Sequence, residues 1–214
     1  TYTGIDRNNQ LWLCTRNTQY IYHTQKRTTI KLDSPIKEEI TYIEQGKGNK
    51  YFIGTRHCIM QAQLKGNKLI LEESSPLANI HLVQHIHYHV PTDRLLIGTM
   101  ADGFYVFDLK TRQLHNIDQF KDVTMNNAIT VYPSSEEVLI ATDGNGVYKL
   151  NMHTLILQQH LSTMQTTGKM NGDIIKDIYL DEEERLWMAI FPISITVFST
   201  PTLRSACIAS FEVG

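Results

Sequence analysis

DRLLIGTMADGFYVFD, at residues 93–108, has the pattern of two β-strands joined by a tight turn. Residues 95–99 form a short run rich in branched apolar residues, which favours a strand. Asp102-Gly103 is a turn signal, because glycine adopts a positive φ without a steric clash. The aromatic and β-branched residues 104–107 favour a second strand. The segment therefore predicts a strand–turn–strand unit.

This unit recurs about five times along the chain. The copies of its first strand are LWLCT, YFIGT, LLIGT, VLIAT and LWMAI, at residues 11–15, 51–55, 95–99, 138–142 and 186–190. Measured at the second position, successive copies are 40, 44, 43 and 48 residues apart. This period, with several strands per repeat, is the signature of a β-propeller. Trp12 and Trp187 share that second position, and we predict that both belong to the core.

Turn residues divide each repeat into four short strands, named A to D from the inside of the propeller outward. We predict an all-β fold: a β-propeller of about five four-stranded antiparallel blades, forming an incomplete arc of a larger propeller. The approximate blade boundaries within this single domain are 1–35, 36–76, 77–122, 123–168 and 169–214. An incomplete arc exposes apolar surface on both end blades, at a cost of about 25 cal/mol per Å². We therefore expect these faces to pack against other propeller blades or a second protomer.

The composition is that of a globular protein and excludes several classes of function. Apolar residues make up 42% of the chain, charged residues 20%, and the formal net charge is −2. Because the net charge is slightly negative and basic residues are not clustered, the sequence lacks the positive patch that nucleic-acid binding requires. The three cysteines are too few and too scattered for a disulfide framework or a zinc site. No apolar run is long enough to cross a bilayer. Because the chain begins at Thr1, partway into a repeat, we expect it to be a fragment of a longer protein.

Three groups contain residue types suited to metal binding or catalysis, but each also has a structural explanation. His85, His87 and His89 alternate along a predicted inner strand, where parallel side chains about 7 Å apart converge poorly on one metal ion. Residues 143–146 begin like a calcium loop but lack the carboxylate at the twelfth position, and a hairpin turn explains them equally. The four carboxylates at 181–184 fall in a predicted A–B turn and are expected to be solvated. We predict no metal, no cofactor and no catalytic residue.

Several segments resemble the two-component regulator propeller repeat. Residues 181–189, DEEERLWMA, resemble its D-x-x-G-x-L-W-I-G-T core. Residues 6–13, and residues 96–99 with 102–103, are similar to other portions of that core. Residues 171–179 are similar to its N-x-I-x-x-I-x-x-D segment. The resemblance covers nearly the whole chain, and its strength lies in the near-regular recurrence of the copies.

The last repeat departs from the family pattern in three places. Glu184 replaces the turn glycine, Ile190 replaces the threonine, and Phe191-Pro192 replaces a Gly-Gly turn. We therefore expect repeat five to be distorted or to border the end of a ring.

The resemblance implies a periplasmic sensor region of a hybrid two-component sensor histidine kinase, in a parent protein anchored in the inner membrane. Such regions often detect glycan fragments, so the implied partner is an oligosaccharide or another small polar ligand. The signal would cross the membrane through segments outside this chain and regulate transcription, and the fragment itself would not be an enzyme. Two alternatives remain. One is a propeller-fold lyase or hydrolase with acid–base residues around the central channel. The other is a protein–protein interaction scaffold without a small ligand.

A ligand is expected at the end of the propeller that carries the B–C turns, because binding residues commonly lie on loops held by a rigid scaffold. Arginine, amide and carboxylate groups supply directed hydrogen bonds to a hydroxyl-rich ligand, and an aromatic ring covers its C–H faces. Each residue is also compatible with an ordinary turn. The candidates are Arg16, Asn17, Arg56, His57, Asp102, Asp143, Asn145 and Phe191.

Overall fold

Five radial sheets make up the computed structural model. It describes residues 1–72, 77–100, 102–117, 120, 125–131, 136–164, 170–183, 185–192, 194–199 and 207–212. Within these ranges, twenty β-strands form five four-stranded antiparallel sheets, each built from four consecutive strands. The predicted all-β propeller of four-stranded blades is confirmed. None of the described segments is a helix long and apolar enough to cross a membrane.

The strands alternate with short turns in each blade. Blade 1 contains β1 to β4, at Tyr2–Ile5, Gln10–Cys14, Gln19–His23 and Thr28–Lys31. Blade 2 contains β5 to β8, at Ile40–Gln45, Lys50–Thr55, Ile59–Lys65 and Lys68–Leu71. Blade 3 contains β9 to β12, at Val83–His89, Arg94–Thr99, Phe104–Asp108 and Leu114–Asn116. Blade 4 contains β13 to β16, at Met125–Val131, Glu137–Thr142, Val147–Asn151 and Leu157–Leu161. Blade 5 contains β17 to β20, at Ile175–Leu180, Arg185–Ile190, Ser194–Ser199 and Cys207–Glu212.

The hydrophobic core lies between neighbouring blades. The second residue of each repeated B-strand segment faces the following blade, so Phe52, Leu96 and Leu139 are buried in the clusters that join blades 2 and 3, 3 and 4, and 4 and 5. The small residues of the motif allow neighbouring blades to approach closely. A Cβ atom on Gly54 would lie 2.7 Å from Cγ1 of Val83 in the next blade.

The two tryptophans have different environments because they belong to the two end blades. Trp12 is 1% exposed and packs between blades 1 and 2, as predicted. Trp187 is only half-buried, so the prediction that it belongs to the core is wrong. Its register partner Tyr179, on the same outer face of blade 5, is 62% exposed. At the other end of the arc, Ile5 of blade 1 is 69% exposed. Both end blades thus expose apolar side chains, as expected for an incomplete arc.

Candidate functional site: the B–C rim

The five turns that join strand B to strand C form one end of the propeller, named here the B–C rim. Thr99, at the end of its B strand, is buried, and its Oγ1 donates to the carbonyl oxygen of Gly103 at 2.8 Å. The same Oγ1 accepts a hydrogen bond from the backbone N–H of Asp102 at 2.9 Å. Equivalent bonds in three other blades start from Thr15, Thr55 and Thr142. These bonds hold the turns that carry seven of the eight candidate residues.

One group of candidate residues meets on blades 1 and 2. They line a cavity of about 350 Å³, whose side chains are Arg16, Lys37, Glu38, Glu39, Arg56 and His57. Arg56 Nε lies 4.0 Å from Glu39 Oε2, and Arg56 also lines an adjoining cavity of about 440 Å³. Asn17 is not part of this group, since it lines a separate cavity of about 400 Å³. The group offers several charged hydrogen-bonding side chains at one place.

A second group lies on blades 4 and 5 and combines an exposed aromatic ring with a salt bridge. Phe191 is 53% exposed. The Nζ atom of Lys176 lies 5.6 Å from the centre of the Phe191 ring and donates to Asp143 Oδ1 at 3.3 Å. The lysine therefore links two candidate ligand-binding residues, Asp143 on blade 4 and Phe191 on blade 5.

Asn145 belongs to the second group through its backbone. Nε2 of His160 lies 2.6 Å from the carbonyl oxygen of Asn145, in position to donate to it. The His160 ring stacks on Tyr148, with ring centres 4.1 Å apart and planes 2° from parallel. The next backbone amide, Gly146 N–H, donates to the carbonyl oxygen of Asp173 at 2.8 Å. The turn is therefore fixed from two directions.

The rim is thus divided between two groups of residues. Asp102 is exposed on blade 3, the blade between them. Arg16, Arg56 and His57 meet on one side, and Asp143, Asn145 and Phe191 on the other. Sequence reasoning missed Lys176, the second residue of β17, where no local pattern marks a surface site. It also missed the hydrogen-bonding role of the threonines, although their recurrence at the last motif position was visible.

Of the three histidines of β9, His85 lies at the interface between blades 2 and 3. His85 is 7% exposed, and its ring centre lies 4.4 Å from that of Tyr42 in blade 2. Burial, with smaller contributions from the neighbouring charges, lowers the pKa of His87 to about 3, so this ring is neutral at pH 7. Among the described residues, no group of three or more His, Cys, Asp or Glu side chains is arranged to hold a metal ion.

The architecture defines the chain as part of a β-propeller, and solved structures share it. The extracellular domain of BT3049 from B. thetaiotaomicron, assigned to the hybrid two-component systems, aligns with a TM-score of 0.75 and 20% identity over 98% of this chain and 28% of that chain. The extracellular domain of BT4673, with the same source and assignment, aligns with a TM-score of 0.66 and 21% identity over 87% of this chain and 25% of that chain. The β-propeller domain of Cps50 (Swd1) from Myceliophteria thermophila aligns with a TM-score of 0.72 and 14% identity over 100% of this chain and 72% of that chain.

The comparisons establish the fold. The chain spans about a quarter of the length of the two extracellular domains, which are the kind of protein that the repeat motif predicted. No family model and no curated protein sequence matches the chain.

Proposed function

We propose that the chain is part of the extracytoplasmic ligand-sensing domain of a two-component system and that its B–C rim binds an oligosaccharide. The observation that carries the proposal is the exposed Phe191 ring beside the Lys176–Asp143 salt bridge. An exposed ring covers the C–H face of a sugar, while the ammonium and carboxylate groups bond its hydroxyls. The fold shared with BT3049 and BT4673 supports the sensor assignment.

In this proposal the ligand acts by shifting an equilibrium. Binding at the rim favours one arrangement of propellers or protomers in the parent protein, to the extent that its affinity for the two arrangements differs. The parent is anchored in the inner membrane with this domain in the periplasm. A histidine kinase beyond the membrane converts the shift into a change in transcription.

The division of the rim favours binding over catalysis. A lyase or hydrolase needs an acid and a base that converge on one reacting bond. In the described part of the rim, the Asp143 carboxylate is paired with Lys176, and the Arg56 group lies on other blades. We therefore propose that the B–C rim is not an active site and, from the sensor assignment, that this part of the protein is not an enzyme.

A calorimetric screen with glycan fragments tests the rim site. Heat of binding without product is expected, and Phe191→Ala should lower the association constant at least about tenfold, which is about 1.4 kcal/mol. The matched control is Ile156→Ala, which removes an apolar side chain that is 59% exposed and belongs to blade 4, outside the rim. Product formation would instead identify an enzyme. The absence of heat from every fragment, or equal losses in both variants, would contradict a glycan site at Phe191.

We also propose that the exposed end faces are docking surfaces for further blades of the same polypeptide. The chain covers 72% of the Cps50 propeller domain. If its five blades make up the same share of a complete ring, that ring has about seven blades. Two more blades would therefore cover the faces that expose Ile5 and Tyr179.

Light scattering tests these faces, because bare apolar surfaces promote self-association. The chain alone is expected to associate at high concentration, and the double substitution Ile5→Lys with Tyr179→Lys should leave a folded monomer. The matched control is Ile70→Lys with Ile156→Lys, which changes exposed residues elsewhere. A wild-type chain that stays a monodisperse monomer would contradict the proposal.

A further inference from the structure

Another cavity lies at the opposite end of the propeller from the B–C rim. It has a volume of about 530 Å³ and is formed mainly by the A–B turns of blades 1, 2 and 3. This volume is within the usual range for small-molecule sites. The lining residues used below are Arg7, Lys47, Tyr88, Val90, Asp93 and Lys110.

The cavity carries an excess of positive charge. Arg7, Lys47 and Lys110 line it together with the single carboxylate of Asp93. Both lysines are exposed, and no salt bridge to either one occurs in the part of the chain that the structure describes. The Asp93 carboxylate is already engaged, since its Oδ1 accepts a hydrogen bond from Tyr88 Oη at 2.7 Å. Two lysine ammonium groups thus remain available to a ligand.

Arg7 is held in place, although its side chain is 41% exposed. Its Nη2 atom donates to the carbonyl oxygen of Tyr88 at 2.9 Å and to Glu44 Oε1 at 3.1 Å. The guanidinium carbon lies 5.0 Å from the centre of the Tyr88 ring. These two hydrogen bonds use Nη2, and among the described residues no hydrogen bond to Nε or Nη1 occurs, so their N–H groups remain for a ligand. A positioned guanidinium binds an oxyanion at a lower entropic cost than a free one.

One wall of the cavity is apolar. Val90 is 59% exposed and lies beside Pro91 at the turn that follows β9. A ligand that contacts this wall gains from burying C–H groups, whereas a bare inorganic ion does not.

We propose that this cavity is a binding site for a small organic oxyanion, a ligand that carries a carboxylate or phosphate group on a body with apolar faces. Arg7, Lys47 and Lys110 bind the anionic group, and Val90 and Pro91 contact the body. The site is separate from the B–C rim, so its test does not depend on the function proposed above.

Titration followed by NMR or calorimetry tests this site, with glucuronate and glucose 6-phosphate as probes and glucose and inorganic phosphate as comparisons. Saturable binding of at least one organic anion is expected, weaker at high salt because exposed charges are screened. Glucose should not bind at this site, and inorganic phosphate should bind at least tenfold more weakly than glucose 6-phosphate. A carboxylate ligand is distinguished from a phosphate ligand by which of the two probes binds more tightly.

Paired lysine substitutions distinguish specific binding in the cavity from nonspecific attraction to surface lysines. Lys47→Ala with Lys110→Ala should lower the association constant at least tenfold. The control pair, Lys26→Ala with Lys65→Ala, removes two exposed lysines that do not line the cavity and should change it less than twofold. Phe191→Ala should have no effect. Failure of both organic anions to bind, equal losses in the two lysine pairs, or equal affinity for inorganic phosphate and glucose 6-phosphate would overturn the proposal.

Discussion

Replacing Trp12 with alanine is expected to lower the free energy of unfolding by about 3 to 5 kcal/mol, the usual cost of deleting a large buried side chain. The Trp12 ring is 1% exposed, and its centre lies 4.9 Å from that of Tyr51 in blade 2. Its Nε1–H donates to Asp6 Oδ2 at 3.0 Å, and Tyr51 Oη donates to the same oxygen at 2.9 Å. The substitution therefore opens a cavity between two blades and removes one hydrogen bond that supports the A–B turn.

Trp187→Ala is the matched control for this prediction. Trp187 has the same motif position, and its Nε1–H donates to Asp181 Oδ2 at 2.8 Å, but the ring is only half-buried on the open face of blade 5. Its loss should therefore cost clearly less, about 1 to 2 kcal/mol. Urea denaturation of both variants measures the difference. Equal costs, or a larger cost at Trp187, would contradict the assignment of blade 5 as an end blade.

Glu44 is expected to make stability depend on pH. Burial raises the pKa of Glu44 to about 7, although the N–H of Tyr88 and the guanidinium of Arg7 favour its charged form. Between the unfolded pKa of about 4.3 and the folded value, the native state holds a proton that the unfolded state has released. The contribution of Glu44 to stability is therefore fully present below the unfolded pKa and is lost as pH rises towards 7. Relative to Glu44→Gln, the wild-type chain should lose about 1 to 3 kcal/mol between pH 4 and pH 8.

Denaturation across this pH range checks the prediction for Glu44. Glu182→Gln, which changes an exposed carboxylate in an A–B turn, is the matched control and should follow the wild-type curve. If wild type gains stability over Glu44→Gln as pH rises, the pairing with Arg7 outweighs burial and the pKa of Glu44 is not raised.

The strands were predictable from the sequence because their signals are local. Alternating apolar residues and turn residues such as Asp102-Gly103 lie within each hairpin, and the three histidines at 85, 87 and 89 lie on one strand, β9, as predicted. The equivalent positions of Trp12 and Trp187 led to the prediction that both belong to the core, which is correct for Trp12 alone. Their different burial could not be read from either copy, because it depends on which blades have neighbours.

The candidate sites were less predictable because they join distant segments. Lys176 reaches Asp143 from 33 residues away, and Arg7 reaches the backbone of Tyr88 from 81 residues away. Such contacts depend on the angle between blades, which no local pattern specifies. The A–B turns of three blades consequently form a basic cavity at the end where no ligand was expected. In contrast, one contact recurs at a fixed spacing. Asp6 and Asp181 each accept a hydrogen bond from the tryptophan six residues later.

Contacts between aromatic rings on neighbouring blades test the stacking of the repeats most directly, and nuclear Overhauser effects in solution measure them. The structure predicts cross-peaks between Trp12 and Tyr51, which join blades 1 and 2, and between Tyr42 and His85, which join blades 2 and 3, with ring centres 4.9 and 4.4 Å apart. It predicts no cross-peak between Trp12 and Trp187. Absence of both predicted contacts once the rings are assigned, or a strong contact between the two tryptophans, would contradict side-by-side packing of the repeats as propeller blades.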